Sequence, residues 1–331
     1  MDRFRTNEPD WLSNFQLSGL MRLNPDILGL RSWEQYKNMD FTKYKIIWIH
    51  SNPRVMDPPW YEYAKLIKDR APNVIVVGSH EYDCAFFQGS GAFIDETNCV
   101  DKLPYMIKKA FGYLDYYVCE NKASWEYMRE RLDIPVLYAH IAEPHVKEVT
   151  WLPKLPWEQR SGVFTLSHSV ILPLMRKFAI MKDLKVKSSI ISTNKVDRPV
   201  RQLREMANAF QAPNVLCYDT LPWLQYLDVV RNSKVSFDID YIGISRVSYE
   251  CAMLGVPTVG TKLMEYRNIL YPELTVKTPE EMVEKVLEIY NDEKKAERLN
   301  RYADMIIREY LSEEAVHVRT VKLLKKMGVD V

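Results

Sequence analysis

Cysteine is scarce in this chain and poorly spaced for its usual structural tasks. The five cysteines (Cys84, Cys99, Cys119, Cys217, Cys251) are odd in number, never spaced C-x-x-C, and have no histidine cluster near them. Neither a disulfide framework nor a zinc site is supported, and small buried thiols are expected. Long apolar runs are missing too. No stretch of 18 apolar residues reads as a membrane span, and the N-terminal MDRFRTNEPDWLSNF lacks the apolar core of a secretory signal. An excess of charge of either sign is also absent: 45 basic residues stand against 44 acidic ones, so bulk electrostatics points to no nucleic-acid partner. These absences read as a cytoplasmic protein without a transmembrane segment, with peripheral attachment at a membrane left open.

What is present is a globular composition, 47% apolar and 27% charged without low-complexity tracts, over 331 residues, a length that suits two ordinary domains better than one. Short apolar runs alternate with longer helical patterns, which argues for α/β layering with mostly parallel strands. KIIWIH (45–50), NVIVVGS (73–79), YYVC (116–119) and VLYA (136–139) read as strands of a first unit, with helical patterns over 60–70 and 121–132. Residues 143–162, with Pro144, Pro153 and Pro156 and no clear period, read as a linker. A second doubly wound unit follows, with strands over 162–168, 188–193, 214–218, 234–240 and 256–261 and amphipathic helices over 198–210 and 221–232. From Thr278 the pattern turns helical: Thr278-Pro279-Glu280-Glu281 carries a capping hydroxyl, a proline at the first position and acids in the first turn, and Leu311-Ser312-Glu313-Glu314 repeats that logic.

One carboxylate stands out. In GISRVSYECAMLGVPTVG (243–260), Glu250 sits in an otherwise small and apolar run. The chain is expected to leave a strand at about Asp240, turn at Gly243 and start a helix near Ser245 to Val247, which puts Glu250 in the first turns of a helix at the carboxyl edge of a parallel sheet. Ligands bind at that edge. The helix N-terminus suits phosphate oxygens, and a carboxylate slightly further along suits ribose hydroxyls, so a nucleotide is suggested. A lone glutamate in a helix is nevertheless most often solvated or salt-bridged. Arg246, at the same helix start, has a guanidinium fork able to take two phosphate oxygens.

The order of strand, glycine turn, helix bearing Ser-Tyr-Glu-Cys-Ala-Met-Leu-Gly-Val-Pro-Thr-Val-Gly and helical tail resembles the donor-binding domain of GT-B glycosyltransferases, most closely the retaining glycosyltransferase family 4. Residues Ile242 to Val259 lie over that family's E-G-F-G-L-x-x-L-E-A-M-A-x-G-x-P-V-V, with Glu250 on its second glutamate, the one that contacts ribose. Asn214 to Tyr218 followed by Leu221-Pro222-Trp223-Leu224 is similar to its V-x-F-x-G segment and following helix, and VVGSHEYD (76–83) to its T-x-H-D segment. Three departures accompany the match. Ile242 replaces the first glutamate, Ser245 replaces the second glycine, and the G-R-x-x-x-x-K segment is reduced to Ser167-His168-Ser169 with Arg176 and Lys177 downstream.

The resemblance implies an α/β architecture of two Rossmann-like doubly wound domains facing a cleft, with C-terminal helices. Residues 1–150 would form the acceptor-side domain, 151–310 the nucleotide-sugar donor domain, and 311–331 a helix packing back on the first domain. The implied activity is transfer of a sugar from a UDP- or GDP-sugar to an unknown sugar, lipid-linked or protein acceptor, with retention and with no cofactor beyond the donor itself. Glu250 would hold ribose, and Gly243, Ile244, Ser245 and Arg246 the diphosphate, with Lys177 as a further basic group. Tyr218 and Asp240 would line the donor site, and His80 would face the sugar as the catalytic-side residue. Asp238-Ile239-Asp240 is similar to a metal-binding D-x-D, but the fold stabilises phosphate with helix dipoles and basic side chains, so no metal is expected. The alternative from another class is a non-catalytic nucleotide-sugar-binding protein on the same fold.

Overall fold

The computed structural model describes residues 36–51, 60–80, 112–130, 132–140, 149, 152–167, 171–192, 199–239, 246–262 and 264–330. They belong to two compact units. Of the described residues, one takes those from 36 to 140 and from 311 to 330, and the other those from 149 to 310.

The first unit is built on four parallel strands, β1 (Ile46–Ser51), β2 (Ile75–His80), β3 (Tyr116–Cys119) and β4 (Val136–Tyr138), in the order β1-β2-β3-β4. Two-residue alternation divides their side chains between the faces. Ile47, Ile49, Val76, Tyr117 and Cys119 join Ala64 and Ile67 of helix α1 (Trp60–Arg70) and Met128 of α2 (Lys122–Arg129) in one core. Helix α2 starts where it does because Asn121 Oδ1 accepts the amides of Ala123 and Ser124 at 2.9 and 3.2 Å. The alternate residues Val77 and Val118, flanked by Ile46, Trp48, Ile75 and Tyr116, face a second core completed by Leu323, Leu324, Met327 and Val329 from the far end of the chain.

In the second unit strands and helices alternate: β5 (Val163–Leu166), α3 (Ile171–Leu184), β6 (Ser188–Ile191), α4 (Val200–Ala209), β7 (Val215–Tyr218), α5 (Trp223–Arg231), β8 (Val235–Asp238), α6 (Arg246–Met253), β9 (Thr258–Thr261), α7 (Glu265–Leu270), β10 (Thr275–Val276), α8 (Pro279–Asn291) and α9 (Glu293–Glu309). The six strands are parallel and ordered β10-β9-β8-β5-β6-β7. Every residue of β5, β8 and β9 is buried, the mark of a sheet covered on both faces. The first strand, β5, sits in the middle, and the chain winds outward from it in both directions.

Thr278 caps α8 as its sequence implies, its hydroxyl accepting the Glu281 amide at 3.1 Å while Glu281 Oε2 accepts the Lys277 amide at 2.6 Å. Asp292 caps α9, accepting the Lys295 amide at 2.9 Å. Helix α10 (Glu313–Lys326), capped by Ser312, buries Val316, Thr320, Leu323 and Leu324 along one stripe and belongs to the first unit, where it closes the second face of the four-stranded sheet. Among the described residues no helix is long and apolar enough to cross a membrane. Helix α3 and the two-residue strand β10 have no counterpart in the sequence reading, and β5 is shorter than the expected 162–168. Residues 143–162, expected as a linker, are in their described part fastened to the second unit: Lys154 Nζ lies 2.7 Å from Asp304, and the Arg160 guanidinium is buried against Leu254 and Gly255.

Candidate functional site

Because β6 and β7 lie to one side of β5 and β8 and β9 to the other, the sheet of the second unit has its topological switch point between β5 and β8. Open parallel sheets bind ligands outside the carboxyl ends of the strands at such a point. The pairing of Val163 with Val235 and Phe164 with Ser236 sets the ends of the two strands, Leu166 and Asp238, side by side. Lys177, at the middle of α3, reaches this gap. Its Nζ donates to Leu166 O and to Asp238 Oδ1, both at 2.8 Å, and all of these groups are buried. A carboxylate and an ammonium thus neutralise one another at the switch point.

Next to it stands Glu250, on the second turn of α6 and 3% exposed. Tyr226 of α5 donates its hydroxyl to Glu250 Oε2 at 2.7 Å, and Arg246 places Nε 2.8 Å from Oε1, the i to i+4 spacing of one helix face. The Tyr226 ring stacks on Trp223 at 5.2 Å and meets Phe164 of β5 edge-on at 6.0 Å. The Arg246 guanidinium carbon lies 5.5 Å over the Trp223 ring. Burial, and then the Glu250 charge, push the Tyr226 hydroxyl well above its ordinary pKa, so it stays protonated and acts as donor.

The far end of α6 is pinned. Gly255 stops the helix in the left-handed region at φ +73°, where a Cβ would also lie 3.0 Å from Arg160 Nη2. Its carbonyl accepts from Asn300 Nδ2 at 2.8 Å and from Arg160 Nη1, and Arg160 Nη2 donates to Leu254 O at 3.2 Å. Gly260, the last glycine of the motif, makes room for another arginine: a Cβ there would approach Arg267 Cδ to 3.2 Å and Asp238 O to 3.0 Å. Arg267 is fully buried and donates to Tyr271 O at 3.1 Å, Thr275 Oγ1 at 3.0 Å, Thr261 O at 2.8 Å and Asn268 Oδ1. Burial pushes its guanidinium down to about 9, which leaves it charged at neutral pH.

No protein-family model and no curated protein sequence matches the chain. Solved structures do. A variant of S. aureus TarM in complex with fondaparinux, alpha-GlcNAc-glycerol and UDP superposes with a TM-score of 0.58 at 14% identity, over 78% of this chain and 53% of that one. The E. coli trehalose-6-phosphate structure bound with UDP-2-fluoro glucose gives 0.65 at 12% identity, over 97% and 79%. A UDP-forming trehalose-phosphate synthase from Burkholderia xenovorans gives 0.62 at 10% identity, over 98% and 81%.

The chain has the GT-B fold.

It spans about half the length of the TarM chain and about four fifths of the two trehalose-linked ones. The residues singled out from the sequence are placed unevenly. Glu250 and Arg246 are brought together as an ion pair. Lys177 is at the switch point but pairs with Asp238, and Tyr218 ends β7, two strands away from β5. His80 ends β2 in the other unit, its backbone in register with Ser51; its side chain lies outside the described residues, as do Asp240, Gly243, Ile244 and Ser245. Sequence reasoning missed Tyr226 and Trp223, although their i, i+3 spacing on an amphipathic helix put them on one face, and it took Asp238 as part of a D-x-D pattern, not as the ion-pair partner of Lys177. It also missed Arg267, whose signal was a basic residue set with Glu265 among Met264, Tyr266, Ile269 and Leu270.

Proposed function

We propose that this chain is a glycosyltransferase that moves a sugar from a nucleotide-sugar donor to an acceptor with retention, in the manner of glycosyltransferase family 4. The observation that carries the reading is Glu250, a buried carboxylate on the helix that follows β8, beside the switch point of a GT-B chain. In this reading Glu250 accepts the ribose hydroxyls, and Arg246 with the start of α6 takes the diphosphate. The uridine nucleotides held by the TarM and E. coli structures support a UDP-linked donor over a GDP-linked one. Lys177 already neutralises Asp238, which supports departure of the diphosphate without a metal, the leaving charge falling on Arg246 and the helix N-terminus. In this reading the acceptor attacks on the face the diphosphate leaves, and the leaving phosphate takes its proton, a route that needs no protein nucleophile. The acceptor is a sugar, a lipid-linked group or a protein.

A second reading, a nucleotide-sugar-binding protein without turnover, draws on Ile242 standing where the family has a glutamate and on Lys177 being engaged by Asp238. Thermal melting of wild type and Glu250→Ala with UDP, GDP, ADP and their sugar conjugates tests both. At about 100 times Kd a ligand adds roughly 2.7 kcal/mol of stability. The donor reading expects one nucleotide series to raise the midpoint of the wild type and to lose most of that shift in Glu250→Ala. It fails if no nucleotide raises the midpoint. Release of nucleoside diphosphate from the binding donor, with water or any acceptor, separates enzyme from binding protein.

A further inference from the structure

Glu250 is placed as a ribose-binding carboxylate but is closed to solvent. Its side chain is 4% exposed, and Tyr226 and Arg246 hold it in different ways. Tyr226 is itself buried, stacked on Trp223 and wedged edge-on against Phe164 of the central strand, so it has nowhere to go. Arg246 is 29% exposed, sits in the first turn of α6, and lies against the outer aromatic of the pair rather than within the core. A hydroxyl that reaches Glu250 Oε1 competes with the Arg246 guanidinium, whose Nε lies 2.8 Å from that oxygen.

Resting on the nucleotide-sugar reading above, we propose that Arg246 is a specificity residue that gates Glu250 and couples recognition of phosphate to recognition of ribose. A guanidinium drawn off a carboxylate needs another anion. A nucleoside diphosphate brings one, so Arg246 exchanges Glu250 for the diphosphate, sliding along the Trp223 ring, while the carboxylate it leaves turns to the ribose hydroxyls with Tyr226 still holding its other oxygen. A nucleoside without phosphate brings no replacement: it has to break the Arg246–Glu250 pair uncompensated, and it binds weakly. The gate therefore rejects free nucleosides, and it does so with a residue that stands where the family motif has a leucine.

The test is calorimetric titration of wild type, Arg246→Ala and Arg246→Lys with UDP, GDP and ADP and with uridine, guanosine and adenosine. For the series that binds, Arg246→Ala is expected to weaken the diphosphate by about tenfold, about 1.4 kcal/mol, while the nucleoside binds the variant as well as or better than it binds the wild type. Arg246→Lys, which keeps the charge without the fork, is expected to fall between the two; it also serves if the alanine variant does not fold, by a smaller change of the same ratio. A merely structural role for Arg246 weakens diphosphate and nucleoside equally, and that result overturns the gate, as does the absence of measurable nucleoside binding to a folded Arg246→Ala that still binds the diphosphate. If none of the three diphosphates binds the wild type, the nucleotide reading falls and takes the gate with it. If one binds and the ratio is unchanged in both variants, the gate alone falls.

Discussion

Taking an ammonium and a carboxylate out of water costs several kcal/mol per ion, and at the ends of β5 and β8 that cost is offset by a 2.8 Å contact between Lys177 and Asp238 and by the Leu166 carbonyl. Removing one partner leaves the other charge buried alone. Lys177→Met is therefore expected to destabilise the second unit by about 3–5 kcal/mol, whereas Lys177→Met combined with Asp238→Leu recovers most of the loss, because an apolar pair of similar volume needs no compensation. Thermal melting of the single and double variants checks this. A double variant no more stable than Lys177→Met shows that the lysine does something other than neutralise Asp238. Glu250 obeys the same electrostatics with one difference: its basic partner is partly exposed, so when the ion pair opens only the carboxylate is left buried, and it needs a new donor in place of Arg246.

At the scale of elements, α6 is held at one end and presented at the other. Gly255 at φ +73°, Arg160 and Asn300 fix its carboxyl end, so its first two turns, with Arg246 and Glu250, are delivered to the switch point at a set height. A side chain at Gly255 meets both the left-handed backbone and the Arg160 guanidinium. Gly255→Ala is expected to cost about 1–2 kcal/mol from backbone conformation, and more where Arg160 is pushed away. Because the register of α6 changes with it, nucleotide binding should weaken further than stability alone accounts for. Melting and titration of one variant give both quantities, and a nucleotide affinity equal to the wild type argues that the helix start is positioned from elsewhere.

Over the whole molecule, folding encloses groups that the unfolded chain exposes. Burial pushes the Cys251 thiol up to about 12 and the Cys217 thiol up to about 11, and Cys119 is fully buried on the other sheet. At pH 8 only about one thiol in a thousand at Cys217, and one in ten thousand at Cys251, is the reactive thiolate. With Cys84 and Cys99 replaced by serine, the folded protein is expected to show no fast reaction with Ellman's reagent at pH 8 and to release three equivalents on denaturation. A fast equivalent before unfolding places one of these thiols at the surface. The same enclosure explains α10. The alternation of β2 and β3 leaves Val77 and Val118 on a face that α1 and α2 do not reach, and the last helix of the chain supplies Leu323, Leu324, Met327 and Val329 to cover it.

Local rules settled most elements before any tertiary contact was considered. Short apolar runs marked nine of the ten described strands, and Thr278 and Ser312 marked helix starts that the structure confirms through their side-chain oxygens. Two-residue β10 was too short to carry a period, and it exists because it pairs with β9. In the site, Glu250 was legible because a single carboxylate interrupts an apolar run that ends in Gly-Val-Pro. Its partners were not, since Tyr226 lies 24 residues upstream and joins it through the packing of α5 on α6. Asp238 and Lys177 illustrate the same limit: the sequence made each a candidate ligand, and only the crossing of α3 over the β5–β8 gap, 61 residues apart in the chain, made them partners of one another. Hydrophobic period and capping chemistry act within a few residues and are written in the sequence, whereas a buried charge takes its partner from whatever the sheet order brings to its side.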